Sequence, residues 1–259
     1  MKFFDSHSHY NDEKFDIDRE EIINKTKEEI DKWICAGYDI ESSKISVDMA
    51  NKYPFIYAIC GVSPNDVKED INDNEELIKN LEKILKQDKN KRIVAVGEIG
   101  LDYYWNKENK EIQKKLFKKQ IELANKYNYP IVIHTREATE DTIKMLKENN
   151  VIKKGIFHCC PLNRELVKEA LKLGFYISFA GPITFKNSKN AEEIVNMVPL
   201  DRILIETDSP YLAPEPKRGT RNDSRNVKLV AQKIAEFKKI ELEEVAKATY
   251  ENAMRIFEI

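Results

Sequence analysis

Short apolar runs alternate along this chain with longer amphipathic segments rich in Lys and Glu. The runs are Lys2–Asp5, Trp33–Ala36, Phe55–Gly61, Arg92–Val96, Pro130–Ile133, Gly155–Phe157, Phe175–Phe179 and Arg202–Ile205. They are short and rich in Ile, Val and Phe, which suits strands buried on both faces of a parallel sheet. Helical patterns lie between them, among them Asp18–Asp31, Asn74–Lys86, Lys107–Tyr127, Ala138–Asn149, Arg164–Leu173 and Asn190–Val198. The stretch 223–259 reads as two further helices, the first capped by Asp223 or Ser224 and the second starting near Glu241. Strand–helix alternation repeated eight times predicts an α/β chain of the (β/α)8 TIM-barrel class, as one domain over residues 1–259. A doubly wound open sheet is the alternative, weakened because no GxGxxG follows the first run.

Composition narrows the partners. Hydrophobic residues make up 41% of the 259, enough for a large core, and charged residues 34%, enough for a well-solvated surface. The net charge of −2 excludes a strongly basic nucleic-acid binder, but not a local nucleic-acid site. Bound divalent cations would themselves make a pocket positive. No run approaches the ~18 apolar residues of a membrane span, and the first residues lack the pattern of a secretory signal. Cys35, Cys60, Cys159 and Cys160 show no CxxC spacing, so reduced thiols and a cytoplasmic location are expected.

Candidate chemistry sits at the ends of the apolar runs. The chain has four histidines. His7 and His9 follow the first run as His-x-His, a spacing that puts both rings on one face of an extended chain. His134 ends the fifth run and His158 the sixth, while Glu98 follows the fourth and Asp208 the eighth. In a barrel these strand ends converge on one face, where active sites lie. Any one of these residues alone reads as a hydrogen-bonded loop residue or a helix cap. Together, imidazoles and carboxylates suit Zn, Mn, Fe or Ni, with Mg where oxygen ligands dominate. Six donors exceed the roughly three protein ligands of one catalytic zinc. Two metals sharing a bridging carboxylate fit better, and such a pair activates water at neutral pH.

The motifs Phe-Asp-Ser-His-Ser-His-Tyr, Val-Gly-Glu-Ile-Gly-Leu-Asp-Tyr, Pro-Ile-Val-Ile-His-Thr-Arg-Glu-Ala, Gly-Ile-Phe-His-Cys and Ile-Glu-Thr-Asp-Ser-Pro-Tyr-Leu-Ala-Pro occur in that order. With them the sequence closely resembles the TatD family of metal-dependent deoxyribonucleases, from Lys2 to Phe257. The resemblance implies two divalent metal ions (Mg, Mn or Zn). His7 and His9 would hold one with Asp208, His134 and His158 the other, and Glu98 would bridge them. Glu98 and Asp208 become the catalytic residues, Asp208 taking the proton of the attacking water. The implied activity is 3′–5′ hydrolysis of DNA phosphodiesters, by a monomer whose partner is single-stranded DNA ends and not a membrane.

Substrate contacts are expected from Ser63 after the third run, from Arg136, a fixed guanidinium fork for phosphate, from Lys217, Arg218 and Asn222 in the loop after the eighth run, and from Tyr103 or Tyr104 stacking on a base. A salt-bridged Arg136, a solvated basic loop and ordinary rim packing are the competing readings. Three places depart from the family pattern. Gly61-Val62-Ser63-Pro64 has Ser63 where the family carries His; His158-Cys159-Cys160-Pro161-Leu162 replaces His-Cys-Phe-Ser-Gly; and Arg221-Asn222-Asp223-Ser224 lacks the family's proline. All three lie on the substrate side, and none removes a metal donor. Two rivals follow: hydrolysis of a lactone, amide, phosphotriester or D-aminoacyl-tRNA ester on the same barrel, or a metal-binding regulator with reduced activity.

Overall fold

The computed structural model describes residues 1–259, the side chain of Ile71 excepted. Eight parallel strands pair in chain order: β1 (Phe4–Ser8), β2 (Lys32–Ala36), β3 (Ile56–Cys60), β4 (Ile93–Asp102), β5 (Ile131–Arg136), β6 (Gly155–Phe157), β7 (Tyr176–Phe179) and β8 (Ile203–Ile205). An isolated parallel bridge between Ser8 and Ser209 brings the two edges together, so the sheet is a nearly closed barrel. The helices α1 (Arg19–Glu29), α2 (Ile40–Lys52), α3 (Ile71–Gln87), α4 (Lys110–Tyr127), α5 (Thr139–Glu148), α6 (Arg164–Lys172) and α7 (Ala191–Met197) each link one strand to the next. After β8 come α8 (Val227–Lys238) and α9 (Leu242–Phe257). The (β/α)8 class read from the sequence is the one observed.

The differences lie in the boundaries. The apolar pattern did not single out α2, whose mean character is nearly neutral because Ser42, Ser43 and Ser46 are among its buried positions. Its start is fixed locally: Asp39 accepts the backbone N–H of Ser42 at 2.7 Å, and the Ser42 hydroxyl accepts the Asp39 N–H at 2.9 Å, a reciprocal cap. The fourth strand continues well past Val96, through Glu98 to Asp102, all of it buried. β1 and β5 likewise extend through His7 and His134. Three donors expected just beyond strands therefore stand inside them.

Strand alternation divides the core. One set of side chains, Phe4, Ile34, Ile59, Val132, Ile156 and Leu204 among them, forms a cluster drawn from all eight strands. Ala253, Ile256 and Phe257 of α9 pack onto it, the Phe257 ring stacking at 6.2 Å on that of Phe4, near the start of β1. The final helix thus covers the N-terminal end of the barrel and leaves the C-terminal end for the candidate site. The larger cluster, with Trp33, Phe117, Phe157 and Phe179, lies on the helix side of the strands. No helix among the described residues is long and apolar enough to cross a membrane.

Candidate metal centre and substrate cavity

Hydrogen bonds between β1 and the segment after β8 set the first donors. Asp208 N–H donates to the His7 carbonyl at 3.0 Å, and His9 N–H to that of Ser209 at 2.6 Å. Asp208 adopts the left-handed conformation (φ 54°), which Asp tolerates better than most residues. His9 is aimed by its Nδ1, 2.9 Å from the Ala36 carbonyl. The result is a tight group: His7 Nε2 and His9 Nε2 are 3.2 Å apart, and His9 Nε2 lies 3.2 Å from Asp208 Oδ1.

Glu98 enters from β4, where the pairing with β5 shifts register between Val96 and Ile99. Its two oxygens face different partners. Oε1 is 2.8 Å from His134 Nδ1 and 3.1 Å from His158 Nε2, and those nitrogens are 3.3 Å apart. Oε2 is 3.6 Å from His7 Nε2 and 3.9 Å from His9 Nε2. The His7 and His158 rings stack at 4.1 Å. Donor atoms of His7, Glu98 and His158 lie within 4.8 Å of one another, as do those of His7, His9 and Asp208, so either group could hold a cation.

Electrostatics agree. Burial pushes the Glu98 carboxyl up, but His158, His134 and His7 outweigh it and hold it well below the usual carboxylate range. Burial pushes His158 down, but Glu98 and Glu206 carry it well above the usual imidazole range. Burial, reinforced by neighbouring His158, lowers His7. Imidazole nitrogens crowded at 3.2 to 3.3 Å around shared carboxylate oxygens have too few protons to satisfy one another, and a divalent cation resolves that. The residues present fit such ions.

Sequence reading missed two supporting carboxylates. Asp102 Oδ2 accepts from His134 Nε2 at 2.9 Å, on the ring edge opposite Glu98. Glu206, fully buried, has Oε1 at 3.4 Å from His158 Nδ1 and accepts the Cys159 N–H at 2.6 Å. A carboxylate behind a ligating histidine fixes its tautomer and raises its basicity. The available signal was spacing: Asp102 lies four residues after Glu98 and Glu206 two before Asp208, intervals that return to the same face of extended chain.

A cavity of about 800 Å³ opens over the donors. Ser63, Arg136, Cys159 and Cys160 line it, as do Asp66 and Trp105, which no motif in the sequence marks. The Ser63 hydroxyl accepts the Asn65 N–H at 3.1 Å within its own turn. Other expected contacts are placed elsewhere. Tyr103 is buried, its hydroxyl donating to Asp141 at 2.6 Å, so its ring is not free to stack on a base. Tyr104 is exposed, but the Arg136 guanidinium lies 3.8 Å over its ring. Asn222 is fully buried; it donates to the Thr207 and Tyr211 carbonyls and so ties down the loop after β8. Arg218 lies 4.4 Å over the Phe185 ring, and neither it nor Lys217 lines the cavity. A long loop folds its polar residues onto itself, and residue type alone does not show which ones turn inward.

Residues 4–258 match the family described as TatD related DNase. YabD of Bacillus subtilis (strain 168), described as an uncharacterized metal-dependent hydrolase, is 44% identical over 258 residues, spanning 99% of this chain and 99% of its own. YcfH of Escherichia coli (strain K12), described in the same words, is 38% identical over 214 residues, spanning 82% of this chain and 77% of its own. The crystal structure of YJJV, a TatD homolog from Escherichia coli k12, superposes with a TM-score of 0.91 at 24% identity, covering 99% of this chain and 98% of its own, and speaks for the fold. Organophosphorus hydrolase from Deinococcus radiodurans shares the barrel more distantly, with a TM-score of 0.68 at 11% identity over 98% of this chain and 92% of its own. The chain belongs to the TatD-related DNase family, whose relatives above are described as metal-dependent hydrolases.

Proposed function

We propose that this chain hydrolyses phosphodiester bonds of DNA, acting on single-stranded 3′ ends through two divalent cations. The observation that carries the reading is Glu98, whose two carboxylate oxygens face different histidine pairs. His7, His9 and Asp208 would hold one ion, His134 and His158 the other, with Glu98 shared. When bound, the ions polarise a phosphoryl oxygen and bring the pKa of water toward neutrality.

The protein's own groups supply the rest. Asp208 Oδ1, beside His9 Nε2, takes a proton from the attacking water. The water oxygen bonds to phosphorus as the bond from phosphorus to the neighbouring nucleoside oxygen breaks, and that oxygen leaves as an alcohol, protonated from solvent. Asp102 keeps the ring of His134 oriented, and Glu206 sets a buried carboxylate beside the ring of His158. Arg136, on the cavity wall, offers a planar fork to a phosphate. The free thiols of Cys35, Cys60, Cys159 and Cys160 support a cytoplasmic location.

The test is a metal-supplemented assay of chelator-treated protein on a labelled oligonucleotide, beside lactone, phosphotriester and aminoacyl-tRNA substrates. Release of mononucleotides restored by Mg or Mn supports the reading. Turnover of one of the other substrates with the oligonucleotide untouched assigns a different bond. Metal uptake with no turnover of any substrate would make the chain a metal-binding regulator.

A further inference from the structure

The turn after β4 carries an aromatic pair that the metal chemistry does not use. Trp105 is 68% exposed and Tyr104 43%, unusual for large rings, and Trp105 lines the cavity over the donor cluster. The two rings meet at 4.7 Å with their planes at 88°. Arg136 packs beside both, its guanidinium carbon 3.8 Å from the Tyr104 ring and 5.4 Å from that of Trp105. The chain therefore keeps apolar surface in water at the mouth of a polar site, with a delocalised cation fixed beside it.

This pair is tied to the metal centre by one carboxylate. Asp102 Oδ1 accepts the backbone N–H groups of Tyr104 at 2.9 Å and Trp105 at 3.0 Å, while its Oδ2 accepts His134 Nε2 at 2.9 Å. The same side chain orients a donor and places the rings, so their spacing is set by a rigid link. A comparable ring on the far side, Tyr211, is already engaged: its hydroxyl is bonded to Asp12 and Lys14 lies 4.1 Å over its face. Trp105 is the most exposed of the rings lining the cavity, ahead of Tyr211 and the half-buried Tyr38.

We infer that Trp105, with Arg136 beside it, is the stacking platform for an unpaired base of the substrate, and that it positions the strand for hydrolysis without touching the reacting atoms. The choice of a nucleotide as ligand rests on the phosphodiesterase reading above. Stacking on an aromatic ring tolerates any base, because every base presents a π-face. Arg136 then lies where the phosphate attached to that base passes.

The chain has two tryptophans, and Trp33 is fully buried, so a change in fluorescence on ligand addition reports on Trp105. Magnesium-loaded protein is titrated with thymidine 5′-monophosphate and with deoxyribose 5-phosphate, which lacks the base; neither contains a phosphodiester. Thymidine monophosphate should quench the emission and the sugar phosphate should not. By calorimetry, Trp105→Ala should weaken thymidine monophosphate binding roughly ten- to hundred-fold, while Trp105→Phe stays within about three-fold of the parent. Absence of quenching, or equal binding by the alanine variant, overturns the inference. Oligonucleotide hydrolysis measured on the same three proteins separates the two readings. Cleavage without base-dependent quenching leaves a phosphodiesterase and removes the platform. Quenching without cleavage keeps the platform and removes the phosphodiesterase.

Discussion

Asp102 accepts His134 Nε2 at 2.9 Å, on the ring edge opposite the one where Glu98 Oε1 meets Nδ1 at 2.8 Å. A ligand histidine held this way presents one tautomer and one orientation. Partners of this kind typically change metal affinity by ~10–100-fold when removed. Asp102→Asn should therefore lower divalent-metal affinity by about ten-fold or more, as calorimetry would read, while circular dichroism stays that of the parent. Unchanged affinity would show that the ring needs no support.

Glu98→Ala removes the carboxylate between the two histidine pairs. Metal content after dialysis, measured by elemental analysis, should fall to one ion or fewer per chain, and oligonucleotide hydrolysis should be lost. A variant that retains both metal and turnover would end the bridging assignment.

Gly100 adopts φ +142°, and a Cβ built there would sit 2.0 Å from the His134 carbonyl oxygen. The obstacle is backbone of the adjoining strand, which cannot swing aside as a side-chain tip can. Gly100→Ala should cost more than ~2 kcal/mol in urea unfolding and displace His134, lowering metal affinity as well. A loss below ~0.5 kcal/mol would contradict this close approach.

Asp66 lines the cavity and its carboxyl is pushed up to about 6, first by burial and then by Asp39. The folded state therefore binds its proton more tightly than the unfolded chain, whose value is near the ordinary 3.8. The sign follows from linkage: this group favours the fold fully below pH 3.8, and that contribution is lost as pH rises through about 6. Asp66→Asn has no such loss. Its gain in melting temperature over the parent should grow from pH 4 to about 6.5 and level off above. A gain independent of pH would mean that Asp66 titrates as in a free chain.

Barrel class and candidate donors were legible for the same reason. A strand buried on both faces must be apolar throughout, so polar residues in or just after such runs stand out. His134 ending Ile-Val-Ile and His158 ending Gly-Ile-Phe are cases of this, and the structure brings both rings to Glu98 Oε1. The substrate side was less legible. Tyr103, Tyr104 and Trp105 are consecutive aromatics, and their local sequence does not distinguish a ring bonded to Asp141 from one open to the cavity. Lys217, Arg218 and Asn222 were equally plausible as contacts, and their directions depended on Phe185, Thr207 and Tyr211, far from obvious neighbours in the chain.

Local pattern was enough for the strand–helix alternation, the barrel class and the strand ends near which the donor residues gather, because periodicity and strand termination are local properties of the chain. Tertiary structure alone decided that Glu98 turns one oxygen to His134 and His158 and the other toward His7 and His9, that Asp102 and Glu206 stand behind His134 and His158, and that Trp105 rather than Tyr103 faces the cavity. Those relations depend on barrel closure and on the register shift in β4, which bring residues up to about two hundred positions apart within hydrogen-bond distance, as His9 and Asp208 show. No local pattern encodes which way a carboxylate points once many strands share one end.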